Sequence, residues 1–317
     1  MSPLARYRQI PTASVMVSPI CLGTMTFGEA HSERYGNCDK ATSFEILDTF
    51  VEKGGNFLDT ANIGEWMSSR GNRDQLVLAT KYTNNYLPKA TGDITANYTG
   101  NGTKSMKRSL ENSLKRLRTS YIDLFYLHIW DYTTSIPELM HGLDDLVAAG
   151  KVMYLGISDT PAWVVSKANQ YARDHGLRQF SVYQGMWNAA MRDFEREIIP
   201  MVLNEGMALA PCGVLNQGRF QTREGGRNFI PLDEHDKRIS GVLEDLAAKR
   251  EGSTTILHMA LAYVMQKAPY VFPIIGCRKV SHLLDNLPGV RLTLTQGEMD
   301  AIDRATGFRH GFPTNFF

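Results

Sequence analysis

Residues 122–128 read IDLFYLH, a run that is apolar almost throughout and ends at a histidine. Residues 76–81 (LVLATK) and 56–59 (NFLD) have the same design, an apolar run that ends in a charged side chain. Continuous apolar runs are typical of strands buried on both faces, whereas strands with one wet face alternate. These stretches therefore predict strands of a parallel sheet, each with a polar side chain at its carboxyl end.

Runs of this kind recur along the whole chain and alternate with helical patterns. The predicted strands are 19–24, 56–59, 76–80, 122–127, 152–157, 179–183, 207–211 and 270–275. The clearest amphipathic helices are 42–53, 104–117, 135–149 and 161–175. Strand and helix in regular alternation predict an α/β protein with a parallel sheet and helices outside it. Eight such units favour a closed (β/α)₈ barrel, the TIM barrel.

Two long polar stretches interrupt this alternation. Residues 82–103 and 212–235 each follow a predicted strand, so both are expected at the carboxyl-end face of the barrel. Loops of this length in a compact domain are usually functional. Residues 295–305 predict one additional helix near the end of the chain. Since no stretch has linker composition, residues 1–317 are expected to form a single domain.

The composition narrows the class of protein. Of the 317 residues, 43% are hydrophobic and 21% charged, which are ordinary values for a globular protein. A net charge of +1 provides no basic field for nucleic acid or an anionic membrane. The four cysteines form no CxxC pair, the first residues have no continuous apolar core, and no apolar run is long enough to span a bilayer. We expect a soluble protein of a reducing, cytoplasmic compartment.

Three candidate functional residues end adjacent strands of the predicted barrel. They are Asp59, Lys81 and His128. Polar residues at these positions point into the active site of a barrel enzyme. An Asp–Lys pair beside a His in a cleft would perturb the pKa of each group, as proton transfer requires. Each could also be an ordinary strand-end residue, and the same rule selects Ser158, Asp159, Gln184 and Asn188.

The last strand offers a candidate phosphate site. No G-x-G-x-x-G follows a strand and no P-loop is present, so the Rossmann type of dinucleotide site is excluded. The segment from Gly276 through Arg278 and Lys279 precedes a helical stretch, where backbone amides and two cations suit a phosphate. The alternative is a solvated basic turn.

Six stretches carry a family resemblance. GGNFLDTAN, LVLATKY, YIDLFYLHIWD, GKVMYLGISD, VYQGMWN and PIIGCRKVSHLLDNL resemble the aldo-keto reductases, in particular the fungal aryl-alcohol dehydrogenase and norsolorinic acid reductase branch. The match extends from about residue 6 to the C-terminus. The resemblance implies a (β/α)₈ barrel that uses NADP(H) to reduce an aldehyde or ketone, or to oxidise the alcohol, in fungal secondary metabolism. We expect a monomer or homodimer.

The resemblance assigns roles to individual residues. Of the family's Asp, Tyr, Lys and His tetrad, Asp59, Lys81 and His128 match three members. The remaining assignments concern the cofactor: Ser158, Asp159 and Gln184 match the positions that hold the nicotinamide amide, Trp187 the aromatic ring stacked on it, and Gly276, Arg278, Lys279, His282, Asp285 and Asn286 the segment around the adenosine phosphate. Because some relatives have an arginine at the position of His282, the choice between NADP and NAD stays open.

The fourth tetrad position is missing. The family has its catalytic Tyr five residues after the Asp, and here that position is Gly64. No Tyr occurs between Tyr35 and Tyr82, which indicates the deletion of a short block. The 16 residues between Asp59 and Leu76 suffice for a parallel crossover, which needs only about 10–12. We expect a helix of about two turns over 63–70, local loosening, and an unchanged fold.

Three interpretations of the missing Tyr remain open. The first is an active reductase in which His128, as a group that titrates near neutral pH, donates the proton while Lys81 polarises the oxygen; Tyr82, Tyr86 or Tyr132 could also replace the lost Tyr. The second is a protein that binds the cofactor and acts as a sensor or regulatory partner. The third is an error in the gene model or splicing.

Overall fold

The computed structural model describes residues 2–28, 36–60, 63–85, 94–223 and 232–316. The chain begins with a small antiparallel hairpin, β1 (Arg8–Gln9) and β2 (Met16–Val17). The apolar residues Ile10 and Val17 are fully buried and pack into one cluster with Phe57 at the start of the second barrel strand. The hairpin therefore closes the amino-end opening of the barrel, which the sequence pattern did not predict.

Eight parallel strands form the central sheet. They are β3 (Cys21–Gly23), β4 (Phe57–Asp59), β5 (Val77–Tyr82), β6 (Ile122–Leu127), β7 (Val152–Ser158), β8 (Phe180–Met186), β9 (Ala208–Cys212) and β10 (Ile274–Gly276). Their order is β10-β3-β4-β5-β6-β7-β8-β9. The ring closes where Leu209 N donates to Tyr270 O at 3.0 Å and Phe272 N donates to Leu209 O at 2.8 Å. The predicted (β/α)₈ barrel is confirmed, with all eight predicted strands in place.

The helices surround the sheet. They are α1 (Lys40–Glu52), α2 (Gly64–Arg70), α3 (Thr103–Leu117), α4 (Ile136–Ala148), α5 (Ala162–His175), α6 (Ile198–Glu205), α7 (Glu234–Ala248), α8 (Ile256–Lys267), α9 (Val280–Asn286) and α10 (Gln296–Thr306). Local signals set several ends: the Ser135 side chain caps α4, and Gly176 ends α5 with a left-handed φ of 67°. The predicted additional helix is α10, whose capping box joins Thr295 and Glu298.

The described part of the crossover between β4 and β5 is well packed. Helix α2 has seven residues, as short as predicted, yet Ile63 and Trp66 are fully buried. Trp66 Nε1 donates to Asp48 Oδ1 at 2.8 Å, and Arg70 Nη2 pairs with Asp48 Oδ2 at 2.7 Å. The expected loosening is therefore not seen among the described residues of this unit, because these contacts fasten α2 to α1.

The two long loops are described only in part. Residues 86–93 of the loop after β5 and residues 224–231 of the loop after β9 lie outside the described residues, as do residues 61–62. Tyr86 is among them, so its proposed role as a substitute acid cannot be placed. In the described part of the chain, no helix combines the length and apolar character that crossing a membrane requires.

Candidate active site

The carboxyl ends of β4 and β5 bring Asp59 and Lys81 together. Lys81 Nζ lies 2.5 Å from both carboxylate oxygens of Asp59. Only 18% of the Lys81 side chain and 10% of the Asp59 side chain are exposed, so the pair is largely shielded from water. Gln184, at the end of β8, donates from Nε2 to Asp59 Oδ2 at 2.9 Å. The carboxylate is thereby fixed from two sides.

His128 follows β6 and lies beside this pair. Burial, followed by the positive charge of Lys81, lowers the pKa of His128 to about 4. Asn84 Nδ2 lies 3.1 Å from His128 Nδ1; an amide nitrogen can only donate, so Nδ1 accepts and the proton of the neutral ring is on Nε2. The expectation that His128 titrates near neutral pH is wrong. The ring is a neutral hydrogen-bond donor, and the proton source must lie elsewhere.

None of the described tyrosines proposed as substitutes is placed to donate this proton. Tyr82 points away from the barrel interior: it is 2% exposed, its ring stacks on Phe125 at 5.2 Å, and its hydroxyl donates to Asn101 O at 3.3 Å. Tyr132 is 71% exposed, so most of its side chain faces solvent. The idea that either replaces the lost Tyr is therefore not supported by the geometry.

Tyr126 is a component of the site that the strand-end rule missed. It is fully buried inside the barrel, and Lys81 Nζ lies 5.7 Å from the centre of its ring. Gly156 on β7 provides the space, since a Cβ there would lie 2.4 Å from the ring. The period of two along β6 places Tyr126 on the same face as His128, and this signal could have identified it. The ring forms an apolar floor below the charged pair.

The ends of β7 and β8 carry the residues matched to the nicotinamide amide. Ser158 is buried, Asp159 is exposed with a left-handed φ of 41°, and Asp159 N donates to Gln184 O at 3.3 Å. Gln184 therefore connects this group to Asp59. Trp187 is fully buried and stacks on Phe194 with 5.9 Å between ring centres. Stacking on a nicotinamide would require this ring to become exposed.

The strand-end residue Asn188 has a structural role. Its side chain is fully buried, and Oδ1 accepts from the backbone nitrogens of Ala190 and Met191 at 2.8 and 2.9 Å. Its Nδ2 donates to Gly213 O at 2.8 Å. These bonds shape the loop after β8, so Asn188 does not join the charged group.

The segment after β10 presents polar groups at the barrel rim. Gly276 and Lys279 are exposed, and Arg278 packs over Gly36, where a Cβ would lie 2.3 Å from Nη1. The exposed Asp285 follows in α9. Asn286 is buried, and its Nδ2 donates to the carbonyl of the half-buried His282 at 2.7 Å. Asn286 Oδ1 is buried with no hydrogen-bond partner among the described residues, which leaves an acceptor for a ligand.

Comparison with known proteins finds a family match that covers most of the chain. The Aldo/keto reductase family matches residues 19–306. Norsolorinic acid reductase B of Aspergillus parasiticus is 59% identical over 335 positions, covering 99% of this chain and 87% of the relative. The aryl-alcohol dehydrogenase [NADP(+)] of Phanerodontia chrysosporium is 48% identical over 344 positions, covering 99% and 89%. The aldo-keto reductase ausK of Emericella nidulans is 46% identical, covering 98% and 84%.

The first two alignments are longer than the 317 residues of this chain, so both relatives have residues with no counterpart in it. The barrel, the grouped Asp59, Lys81 and His128, and matches of this identity and coverage agree with one another. The chain belongs to the aldo/keto reductase family.

Proposed function

We propose that the protein is an NADP(H)-dependent oxidoreductase that reduces an aldehyde or ketone, or oxidises the corresponding alcohol, in fungal secondary metabolism. The observation that carries this proposal is the shielded Lys81–Asp59 pair beside the neutral His128. The names of the relatives support an aromatic or polyketide-like substrate. We further propose that residues 1–317 act as one domain, in the cytoplasm, as a monomer or homodimer.

The described residues fit a nicotinamide dinucleotide. Ser158, Asp159 and Gln184 would hold the nicotinamide amide at the ends of β7 and β8. At the far rim, the unpartnered oxygen of Asn286 is an acceptor for the adenosine end, with His282 next to it. The exposed backbone at Gly276 and the cations Arg278 and Lys279 would bind the phosphates of this cofactor. When bound, NADPH supplies the hydride.

In this proposal, Lys81 donates the proton that the carbonyl oxygen receives. Two protons of its ammonium group point at the oxygens of Asp59, and the third is left for a carbonyl oxygen at the barrel mouth. As the carbonyl carbon gains a hydride, its oxygen gains negative charge, which the ammonium stabilises and then neutralises by proton transfer. The product is the alcohol, and solvent reprotonates Lys81. His128 Nε2 donates a hydrogen bond that orients the same oxygen.

A second candidate function is supported by one observation: no described tyrosine reaches the Asp59–Lys81 pair from the mouth. A protein of this kind could bind the cofactor without turnover and act as a sensor. The two functions share the cofactor site and differ in catalysis, so they are separated by measuring binding and turnover on the same preparation.

The experiment combines NADPH titration, followed by quenching of tryptophan fluorescence, with turnover of aryl aldehydes. We expect saturable binding in wild type and in Lys81→Met. The Lys81→Met variant should lose about 10²-fold or more in turnover, the usual size of a general-acid effect. His128→Gln should lose less. Restoring the missing loop should raise the wild-type rate at least about tenfold. Binding without turnover identifies the sensor, and a lack of NADPH binding contradicts both functions.

A further inference from the structure

Asp159 carries a carboxylate at the barrel rim that has no cation of its own. It follows Ser158 at the carboxyl end of β7 and is exposed. A Cβ on Gly185 of β8 would lie 3.2 Å from Asp159 Oδ1, so the glycine leaves the space beside this carboxylate free. In the described part of the chain, no other residue forms an ion pair or a side-chain hydrogen bond with it. Its charge is therefore available to a ligand.

The backbone holds this carboxylate in place. Asp159 has a left-handed φ of 41°, a conformation in which Asn and Asp are the most favoured residues after glycine. Its own nitrogen donates to Gln184 O at 3.3 Å. The next residue is fixed as well, because Thr160 N donates to Tyr183 Oη at 3.2 Å and Tyr183 Oη donates to Thr160 O at 2.7 Å. The position of Asp159 is thus set by two adjacent strands of the barrel.

Three charged groups act on the same space at the barrel mouth. The thiol of Cys212, at the end of β9, has its pKa raised to about 11, first by burial and then by the charge of Asp159. Lys81 lowers the pKa of this thiol and Asp59 raises it. Since Lys81 and Asp59 pair with each other and His128 is neutral, their charges cancel. Among these described groups, one negative charge is left over, that of Asp159.

The two forms of a nicotinamide cofactor differ in charge at their ring. The oxidised ring is a cation and the reduced ring is neutral, whereas the phosphates are the same in both forms. Burial raises the pKa of Asp159 and the charge of Lys81 opposes this effect. Because the residue is exposed and water reaches the carboxylate, we expect it to be ionised at neutral pH. An ionised carboxylate attracts the oxidised ring and not the reduced one.

We propose that the carboxylate of Asp159 shifts the affinity of the cofactor site toward the oxidised, cationic nicotinamide. This inference rests on the proposed function, which places the nicotinamide amide at Ser158, Asp159 and Gln184. The same carboxylate stabilises the positive charge that develops on the ring as hydride leaves it. Asp159 therefore favours hydride donation to the carbonyl and also slows the release of the oxidised cofactor.

The test is calorimetric titration of the full chain with NADP⁺ and with NADPH, each without substrate. In Asp159→Asn, the affinity for NADP⁺ relative to that for NADPH should fall about tenfold or more, the effect of removing one charge near a cation at a protein surface. Taking the ratio removes any effect on the phosphates that the two forms share. Asparagine also tolerates the left-handed backbone, so we expect this variant to fold, and its melting temperature checks this.

A second variant separates charge from hydrogen bonding. Asp159→Gly removes the whole side chain at a φ that glycine adopts freely, and it should shift the ratio as Asp159→Asn does. The matched control is Asp174→Asn in the last turn of α5, the helix that follows β7. Asp174 is exposed, its Oδ1 accepts from Gln170 Nε2 at 2.7 Å, and it lies toward the opposite end of the barrel because the helices run antiparallel to the strands. Its ratio should equal that of wild type.

Three outcomes would overturn the inference while leaving the proposed function intact. The first is an unchanged ratio in Asp159→Asn with both forms still bound. The second is a ratio that shifts in Asp159→Gly but not in Asp159→Asn, which would assign the effect to a hydrogen bond. The third is an equal shift in Asp174→Asn, which would assign it to the net charge of the protein. If wild type binds neither form, the proposed function fails and this inference fails with it.

Discussion

The protonation of His128 is controlled by its burial and by the charges of its neighbours. The ring lies beside the Lys81 ammonium and is partly buried, and both effects disfavour a second proton. The carboxylate of Asp59 acts in the opposite direction but is already held by Lys81 and Gln184. At neutral pH the His128 ring is therefore uncharged. This is why the proton of the proposed reaction is assigned to the lysine.

The His128 environment predicts a loss of stability in acid. The histidine has a pKa of 6.5 when unfolded and about 4 in the native chain, so between these values the unfolded state binds the additional proton. The free energy of unfolding should fall as the pH is lowered from about 6.5 to about 4, and this contribution should disappear in His128→Asn. Melting temperatures measured across this pH range, and compared with those near neutral pH, give the dependence of stability on pH. This dependence should be weaker in His128→Asn than in wild type.

The control for this prediction is His141→Asn, at an exposed histidine of α4. It should follow the wild-type curve. If His128→Asn and wild type lose stability in parallel over the whole range, the proposed environment of the imidazole is wrong.

Sequence reasoning located the charged group but not its electrostatics. The strand-end rule places Asp59, Lys81 and His128 because the ends of parallel strands share one face of the barrel. The pKa of His128 and the burial of Trp187 depend on neighbours distant along the chain, and no local pattern contains that information.

At the scale of elements, helix α2 also has one feature that the sequence predicts and one that it does not. A short helix over 63–70 follows from the sequence, and the structure has it at Gly64–Arg70. Its position against α3 could not be read in advance, because it depends on the absence of a side chain at one contact between two helices. The hairpin of β1 and β2 was missed for a different reason: strands of two residues are too short to show a period.

The contact at Gly64 predicts a large effect of a single methyl group. In Gly64→Ala the new Cβ would lie 2.2 Å from the backbone oxygen of Arg116 and 2.7 Å from Leu117, so α2 or α3 must move. We expect a destabilisation of about 1–3 kcal/mol, the usual effect of overpacking. Urea unfolding with a shared m-value measures it.

The matched control is Gly297→Ala in α10, where no atom lies within 4 Å of the added Cβ. There the loss of chain entropy in the unfolded state and the helix propensity of Ala should stabilise by about 0.5–1 kcal/mol. Equal effects of the two substitutions would show that α2 does not pack against α3 as described.

For the molecule as a whole, the last helix completes the face that carries the site. Helix α10 is joined to the loop after β8 by Arg192, whose Nη1 donates to Asp303 O and to Thr306 Oγ1, both at 2.9 Å. Arg192 also pairs with Glu195 through two bonds of 2.7 and 2.5 Å, and both side chains are only 7% exposed. Residues more than a hundred positions apart thus share one buried ionic cluster, which sequence periodicity does not reveal.

This cluster predicts that replacing an arginine by methionine lowers the free energy of unfolding much more at Arg192 than at Arg223. Arg192→Met leaves Glu195 buried, and among the described residues Lys267 Nζ, at 3.6 Å, is then the one cation paired with it, so we expect a loss of about 3 kcal/mol or more in the free energy of unfolding. Arg223→Met breaks a pair with Asp245 in which both side chains are more than half exposed, and such pairs contribute about 0–1 kcal/mol. Adding Glu195→Gln to Arg192→Met should recover part of the loss, because the uncompensated charge is then removed. Urea unfolding of wild type, the two single variants and the double variant measures these differences. If the double variant is no more stable than Arg192→Met, the destabilisation arises from lost packing and lost bonds to α10 rather than from the buried carboxylate.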